Sequence, residues 1–219
     1  MIITKHKPFA EILSFLEGKE RVFLIGCKLC ATVCGTGGEA QMKALETELT
    51  GKGKTITGWS VLEPACSLIE VKKLFRARKD EINSSDAVLS FACGGGTQAL
   101  AEGLAEKDIY PGNDTLFQGE VAEHSPRRSR FEQRCSTCGD CMLAVTGDLC
   151  PVTRCPKGLT NGPCGGVKNG KCEVDAELDC VWLLIYRRLK TLGRLEEMKK
   201  ASAPKDHSKN KKPQRLTRG

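Results

Sequence analysis

The sequence lacks long apolar runs and is poor in aromatic residues. Aromatic side chains make up 5% of the 219 residues, and no stretch approaches the roughly 20 consecutive apolar residues that cross a membrane. The first residues place Lys5, Lys7 and Glu11 where a signal peptide needs its apolar core. We therefore expect a soluble, cytoplasmic protein without a membrane span.

Excess charge is absent from most of the chain. Of the 34 basic and 27 acidic residues, eight and one lie from Lys199 onward, which leaves 26 of each sign before it. The end of the chain is rich in Pro, Ser and Lys, a composition that buries too little apolar surface to fold. We predict that residues 201–219 form a disordered, solvated tail and that nucleic acid is not a partner. The alternative is a tail that docks on an acidic protein.

Residues 1–125 alternate segments of helical and strand-like pattern. Apolar residues recur at helical spacing over 8–18, 39–49, 67–79 and 97–107, and short apolar runs occupy 21–26, 55–62 and 86–92. Strands that alternate with helices of this length predict a parallel sheet with crossover helices. The expected fold class is α/β, flavodoxin-like or Rossmann-like.

Cysteine is unusually abundant, with 13 residues. Cytoplasmic thiols stay reduced, so an odd number of cysteines predicts metal ligands and not a disulfide framework. Eight cysteines lie between residues 135 and 180, where no sheet or long helix is readable before a helix at 176–192. Because such a segment cannot fold around its own side chains, we expect bound metal to organise a second domain over residues 126–200.

The strongest motif is Cys135-x2-Cys138-x2-Cys141, which offers three thiolates from one loop. Zinc usually receives two separated pairs of ligands, whereas a cubane cluster takes three corners from one loop and the fourth from elsewhere. The spacing favours a [4Fe–4S] cluster, with zinc as the alternative. The remaining thiols of this segment, enough for a second cluster, are Cys150, Cys155, Cys164, Cys172 and Cys180.

A second group of cysteines follows the predicted strands. Cys27-x2-Cys30-x3-Cys34 comes directly after the first strand, Cys66 follows the second and Cys93 ends the third. The carboxyl ends of parallel strands meet at one edge, so these thiols are expected to converge. Either Cys66 or Cys93 could supply the fourth ligand of a cluster, and a structural zinc site is again the alternative.

The loop after Cys93 also supports a different prediction. Gly94, Gly95 and Gly96 begin a G-x-G-x-x-A pattern between a strand and a helix, which is a weak form of the dinucleotide-binding fingerprint. It follows the third strand and not the first, so nicotinamide binding is kept as a minor hypothesis. No Ser or Cys has a readable base beside it, and we predict no catalytic residue.

These residues resemble a known family. The resemblance rests mainly on three segments, CSTCGDCMLAVTGDLCPVTRCPKGLTNGPCGGVKNGKCEV (135–174), DCVWLLIYRRLKTLGRLEEM (179–198) and PKDHS (204–208). It extends to three earlier segments, GCKLCATVCGTGGE (26–39), SFACGGGTQALAE (90–102) and YPGNDTLF (110–117). The chain resembles the cysteine-rich methylenetetrahydrofolate reductase C-terminal family, whose stand-alone members are the small, MetV-type subunit of the bacterial enzyme.

The resemblance implies a partner and a role. The partner is the flavin-bearing barrel subunit that reduces 5,10-methylenetetrahydrofolate to 5-methyltetrahydrofolate in the one-carbon and acetyl-CoA (Wood–Ljungdahl) pathways of anaerobes. The expected role is non-catalytic electron transfer through iron–sulfur clusters, from a ferredoxin, an NADH-oxidising protein or a heterodisulfide-reductase-like module. Trp182 and Tyr186 could face the partner, although core packing is the more ordinary role for both.

The number and type of metal centres stay open at this point. Thirteen thiols permit three [4Fe–4S] clusters with one cysteine left over, two clusters and a zinc site, or two clusters with spare cysteines. A zinc-stabilised scaffold of the same reductase that carries no electrons is the main alternative function. An independent nicotinamide oxidoreductase is the second.

Overall fold

The computed structural model of the protein describes residues 1–124 and 129–217. The chain divides into two compact units, Met1–Phe117 and Gln118–Gly219. The predicted domain boundary after residue 125 lies outside the described residues, and the predicted three-part division stays a prediction.

The first unit holds six strands and six helices in its described residues. The strands are β1 (Ile2–His6), β2 (Arg21–Cys27), β3 (Thr55–Leu62), β4 (Ala87–Phe91), β5 (Ile109–Pro111) and β6 (Asn113–Gln118). The helices are α1 (Phe9–Phe15), α2 (Cys30–Val33), α3 (Glu39–Thr50), α4 (Leu68–Ala77), α5 (Lys79–Ser84) and α6 (Gly94–Gly103).

Four of these strands form one parallel sheet in the order β3-β2-β4-β5, while β1 pairs with β6 in a separate two-stranded sheet. This confirms a mixed α/β fold with a parallel sheet. The order equals the first four strands of the 2-1-3-4-5 arrangement of flavodoxin-like folds. In that arrangement successive strands are added on opposite sides of the first one. Here β3 lies on one side of β2, and β4 and β5 lie on the other.

The central strand β2 is buried on both faces of the sheet. Phe23 and Ile25 belong to one apolar core, and Val22 and Leu24 belong to the other. All four side chains are fully buried. A strand covered by helices on both sides has no solvent face, which explains why residues 21–26 read as a continuous apolar run and not as an alternating one.

The second unit has little regular structure. Its elements are the antiparallel pair β7 (Glu120–His124) and β8 (Ser129–Glu132), the helices α7 (Pro151–Arg154) and α8 (Val181–Thr191), and 3₁₀ turns at Leu143–Val145, Leu195–Lys199 and His207–Asn210. Its buried apolar core consists of four residues of α8, namely Val181, Trp182, Ile185 and Leu189. The idea that metal organises this unit stays a prediction.

Several elements differ from the expectations drawn from the sequence. Strand β1 and strands β5 to β8 were not predicted, and α8 begins at Val181 and not near residue 176. Helix α6 begins at Gly94, directly after Cys93, because the three glycines are part of its first turn. Among the described residues, no helix has the length and apolar character needed to cross a membrane.

Part of the predicted tail makes contacts within the second unit. Ser202 exchanges hydrogen bonds with Asn161, and Lys205 and Lys209 reach Asp140. The disorder predicted for residues 201–219 stays a prediction, but these contacts argue against a purely solvated role for residues 202–209.

Candidate metal centres

Five cysteines lie at the carboxyl edge of the parallel sheet. Cys27 ends β2, Cys30 begins α2 and Cys34 follows it, while Cys66 lies beyond β3 and Cys93 immediately precedes α6. The edge between β2 and β4 is the point where strand order reverses. Parallel α/β folds bind ligands in the crevice at this point, because the loops on its two sides diverge.

Tight packing brings the chain before Cys66 against the chain before Cys93. A Cβ atom on Gly96 would lie 2.7 Å from Cβ of Ala92 and 3.2 Å from Cβ of Ala65. Only glycine allows such an approach, so the first turn of α6 rests directly on the residues that precede the two cysteines.

The thiol of Cys66 is influenced by three of the other four thiols. The pKa of Cys66 is raised first by burial and then by the thiols of Cys93, Cys27 and Cys30. The sequence left open whether Cys66 or Cys93 accompanies the first motif, and the structure places Cys66 within electrostatic reach of Cys93, Cys27 and Cys30. We call these four residues the sheet-edge group.

Cys34 has a different environment. Its thiol donates to the carbonyl of Ile2 in β1, with a sulfur–oxygen distance of 3.8 Å. The thiols that shift the pKa of Cys66 belong to the other three cysteines. Both Cys34 and Cys30, whose Sγ accepts the N–H of Ile2 at 3.4 Å, thus contact β1, a strand that the sequence did not predict, and Cys34 differs in having no influence on Cys66.

In the second unit, the loop of residues 135–141 is shaped to present its thiols. Thr137 has φ 52° and Gly139 has φ 73°, and the backbone N–H of Thr137 donates to Cys135 Sγ at 3.3 Å. A positive φ is a strained conformation for a β-branched threonine, and such strain concentrates at functional sites. The turn directs a backbone donor at sulfur, as in loops that hold metal thiolates.

Cys150 is tied to this loop through one threonine. Thr153 Oγ1 lies 2.8 Å from Ser136 Oγ, and Cys150 Sγ donates to the same oxygen at 3.6 Å. Ser136 stands between Cys135 and Cys138, so Cys150 is the neighbouring candidate for a fourth ligand. We call Cys135, Cys138, Cys141 and Cys150 the loop group.

The thiolate form of Cys138 is favoured by its neighbours. A backbone hydrogen bond with Asp140 is the largest cause that lowers the pKa of Cys138, and a hydrogen bond from the Lys205 side chain adds to it against the opposing effect of burial. A thiol that is charged more easily is a better metal ligand, because metals bind the thiolate.

The four remaining cysteines line one small cavity. Its volume is about 20 Å³, and its wall includes Cys155, Cys164, Cys172 and Cys180 beside Trp182. Cys155 directly follows α7 and Cys180 directly precedes α8, which fixes two of the thiols at helix ends. We call these four cysteines the cavity group.

A backbone turn brings the last two thiols of the cavity group together. The N–H of Cys172 donates to the carbonyl of Leu178, and the N–H of Cys180 donates to the carbonyl of Gly170, both at 2.9 Å. Cys164 Sγ donates to Glu173 Oε1 at 3.7 Å, which holds the third thiol beside this turn.

In the described residues, the cysteines of each group do not yet form a metal-binding geometry. Within residues 1–124 and 129–217, no three side chains of Cys, His, Asp or Glu already stand in ion-binding geometry. The donor chemistry nevertheless fits soft thiophilic centres, since each group offers four thiols and such ligands select zinc or iron–sulfur clusters.

The glycines after Cys93 are engaged by protein groups. The N–H of Gly94 donates to Thr115 Oγ1 at 2.8 Å, and Gly96 is packed against Ala65 and Ala92. Nicotinamide binding by Gly94, Gly95 and Gly96 stays a prediction, and these contacts use two of the positions that the fingerprint reserves for a pyrophosphate.

Residues 110–208 match the model of the family described as methylene-tetrahydrofolate reductase C terminal. The match covers 99 of the 219 residues, and we call it the reductase C-terminal segment. No curated protein matches the chain. The reductase C-terminal segment begins within β5 and contains the loop group and the cavity group entirely, together with α8.

The sheet-edge group precedes the reductase C-terminal segment. The earlier part of the resemblance, residues 26–39 and 90–102, is outside the match and stays a prediction. On the last helix of the segment, Trp182 is buried and donates its indole N–H to the carbonyl of Leu159 at 3.1 Å. Trp182 is therefore a core residue, while Tyr186 is 41% exposed and remains available to a partner.

Proposed function

We propose that this chain is the iron–sulfur electron-transfer subunit of a methylenetetrahydrofolate reductase complex. It would pass electrons between an external donor and the flavin of the catalytic subunit that reduces 5,10-methylenetetrahydrofolate to 5-methyltetrahydrofolate. The proposal is carried by the contacts from which we assign twelve of the thirteen cysteines to three groups of four, with Cys34 left apart. The family of residues 110–208 supports the reductase context.

Groups of four thiols suit a redox cofactor and its tuning. A [4Fe–4S] cluster bound by four cysteines supplies one-electron chemistry at a potential set by charge, hydrogen bonds to sulfur and exposure. In the loop group, the N–H of Thr137 and the ammonium of Lys205 are donors beside cysteine sulfur. The loop group and the sheet-edge group are the two sites where we place clusters.

The catalytic chemistry is assigned to a partner because this fold differs from a flavin-bearing barrel. A (β/α)₈ barrel closes eight parallel strands, whereas the parallel sheet in the described part of this chain has four. Cys66 of the sheet-edge group and Cys135 and Cys141 of the loop group are exposed, as is Cys164 of the cavity group, so both proposed clusters reach the surface where electrons can be exchanged. The donor would be a ferredoxin, an NADH-oxidising protein or a heterodisulfide-reductase-like module.

The cavity group favours a different metal. Its cavity of about 20 Å³ has room for a single ion, since a space of roughly 10–15 Å³ already holds one water molecule. A structural zinc site takes four thiolates in a closed tetrahedron and contributes directly to folding. We assign zinc to this group, so the scaffold role and the electron-transfer role would be combined in one chain.

Metal and sulfide analysis of the anaerobically purified chain tests the proposal, together with electron paramagnetic resonance after dithionite reduction. We expect about 8 iron with equal sulfide, the count for two cubane clusters, and a signal that appears on reduction. A colourless chain that contains zinc alone and gives no signal would overturn the electron-transfer role. It would leave the zinc-stabilised scaffold.

A further inference from the structure

The segment of residues 202–210 lies across the loop that carries Cys135, Cys138 and Cys141. Asp140 is the meeting point. Lys209 Nζ donates to Asp140 Oδ1 at 2.7 Å, Lys205 Nζ donates to the Asp140 carbonyl at 2.5 Å, and the N–H of Asp206 donates to Oδ2 at 3.4 Å. One aspartate within the cysteine loop thus accepts hydrogen bonds from three residues of the predicted tail.

The backbones of the two segments also touch. A Cβ atom on Gly139 would lie 2.5 Å from the carbonyl oxygen of Lys209 and 3.3 Å from its Cβ. Gly139 has φ 73°, so a glycine is required at this position both for the turn and for the close approach of Lys209. The two segments are therefore held by close backbone packing as well as by attraction between charged side chains.

A second contact anchors the segment before it reaches the loop. Asn161 Nδ2 donates to the carbonyl of Ser202 at 3.2 Å, and the N–H of Ser202 donates back to Asn161 Oδ1 at 2.7 Å. This reciprocal pair fixes the register of the following residues, so Lys205 and Lys209 arrive at Asp140 from a defined position.

The burial of the two lysines separates their roles. The side chain of Lys205 is 14% exposed and that of Lys209 is 50% exposed. Burying an ammonium is costly unless its charge is compensated. Lys205 Nζ donates to the carbonyl of Asp140, which lies between Cys138 and Cys141 in the loop. Its charge is therefore directed at the backbone of the cysteine loop, whereas the half-exposed Lys209 pairs with the Asp140 carboxylate.

We propose that residues 202–210 form a clamp that closes the cysteine loop, and that Lys205 is its positioning residue. The ammonium of Lys205 stabilises the negative charge of the thiolates when metal is bound. Lys209 and Asp206 hold Asp140 so that the loop keeps its turn. The clamp rests on contacts within this chain, while the effect of Lys205 on a redox potential rests on the proposed function.

Three variants of the full-length chain test the clamp. Lys205→Met removes the charge and keeps the length of the side chain, Lys205→Arg restores the charge, and Lys211→Met removes an exposed lysine outside the contacts with Asp140. The readouts are amide hydrogen exchange over residues 136–142 and 202–210 and the midpoint potential of the loop-group cluster, measured by a titration followed by electron paramagnetic resonance.

We expect Lys205→Met to speed exchange in both segments about tenfold, the change that follows loss of one charge-assisted hydrogen bond. The midpoint potential should become more negative, because a nearby positive charge favours the reduced cluster. Lys205→Arg should restore both values in large part, and Lys211→Met should change neither. Unchanged exchange and potential in Lys205→Met would overturn the proposal.

The outcomes separate the clamp from the proposed function. If the wild-type chain holds no reducible iron, the electron-transfer role fails, yet hydrogen exchange still decides whether the clamp exists. If Lys205→Met cannot be purified with metal, Lys209→Met gives a second reading, since it removes the ion pair with Asp140 and leaves Lys205 in place. Fast exchange of residues 202–210 in the wild-type chain itself would show that no clamp forms.

Discussion

The thiol of Cys66 lies within electrostatic reach of the thiol of Cys93, although the two residues follow different strands. Burial is the first cause of the raised pKa of Cys66, and the Cys93 thiol is the second. A thiol whose charge is disfavoured in this way is relieved when a cation binds it, because the metal holds it as a thiolate. The pair marks the place where the sheet-edge group would close around metal.

Single substitutions should distinguish the ligands of the sheet-edge group from Cys34. We expect Cys66→Ser and Cys93→Ser each to lower the iron content by about 4 per chain, the content of one cubane cluster. Cys34→Ser is the matched control and should retain full iron. Iron and sulfide analysis of the three variants, purified anaerobically, measures this. Loss of iron in Cys34→Ser with full retention in Cys66→Ser would reverse the assignment.

A double substitution tests whether Cys138 and Cys150 of the loop group bind the same cluster. Cys138→Ala and Cys150→Ala should each remove the same cluster, so the double variant should lose no more iron than either single variant. Cys155→Ala belongs to the cavity group and should keep that iron. The first unit should remain folded in all of them, since its cores are built from other residues. An additive loss of iron in the double variant would show that Cys138 and Cys150 serve different centres.

Much of the first unit was predictable because its signals are local. Strand β3 and helix α3 follow the apolar spacing closely, and β2 reads as a buried run. Strands β1 and β6 were missed because they pair with each other from opposite ends of the unit, and their stability depends on that long-range pairing more than on composition.

The candidate centres were predictable only in part. The parallel pairing of β3, β2 and β4, which these cysteines follow, confirms the topology that predicted Cys27, Cys66 and Cys93 at one edge, while their role as metal ligands stays a prediction. The spacing could not show that Cys34 faces β1, since that strand was unknown. The spacing also could not assign the cysteines from Cys135 onward to separate groups, because that assignment depends on side-chain contacts such as the one between Thr153 and Cys150.

Gly96 tests whether the glycine-rich turn serves packing or a nucleotide. A Cβ atom there would lie 2.7 Å from Cβ of Ala92, so Gly96→Ala should destabilise the first unit by about 1–3 kcal/mol through overpacking. Gly95→Ala is the matched control, because its Cβ would meet only Cys93 Sγ at 3.9 Å. Urea unfolding with and without NADH measures both effects. Stabilisation of the wild-type chain by NADH, lost in Gly96→Ala, would favour the nicotinamide hypothesis.

The lowered pKa of Asp86 predicts how the stability of the sheet depends on pH. Its carboxylate accepts from the N–H groups of Glu20 and Arg21 and from the Arg21 guanidinium, which is the first cause that lowers the pKa of Asp86 to about 2. A folded-state pKa below the unfolded value of 3.8 means that the unfolded chain takes up the proton more readily. The contribution is therefore present above about pH 4 and is lost as the pH falls towards 2.

We accordingly expect Asp86→Asn to unfold at a lower temperature than the wild-type chain at pH 6, with a difference that shrinks from about pH 4 to pH 2. Glu102→Gln, an exposed carboxylate on α6, is the control and should follow the wild-type curve. Thermal unfolding followed by circular dichroism gives both curves. A difference between Asp86→Asn and the wild type that stays constant down to pH 2 would contradict the linkage.

The cavity group gives the sharpest division between zinc and iron. Four thiols around about 20 Å³ leave room for a single ion, so we expect close to one zinc per chain in addition to the iron of the other two groups. Cys172→Ser should remove this zinc, loosen α8 and its small core, and leave the iron content unchanged.

Elemental analysis, combined with limited proteolysis of residues 155–192, measures the consequences of Cys172→Ser. Cys34→Ser again serves as the control, because it changes a cysteine outside all three groups. Loss of about four iron in place of one zinc would show that the cavity opens to hold a third cubane cluster. In that case Cys155, Cys164, Cys172 and Cys180 would belong to the electron path and not to a structural site.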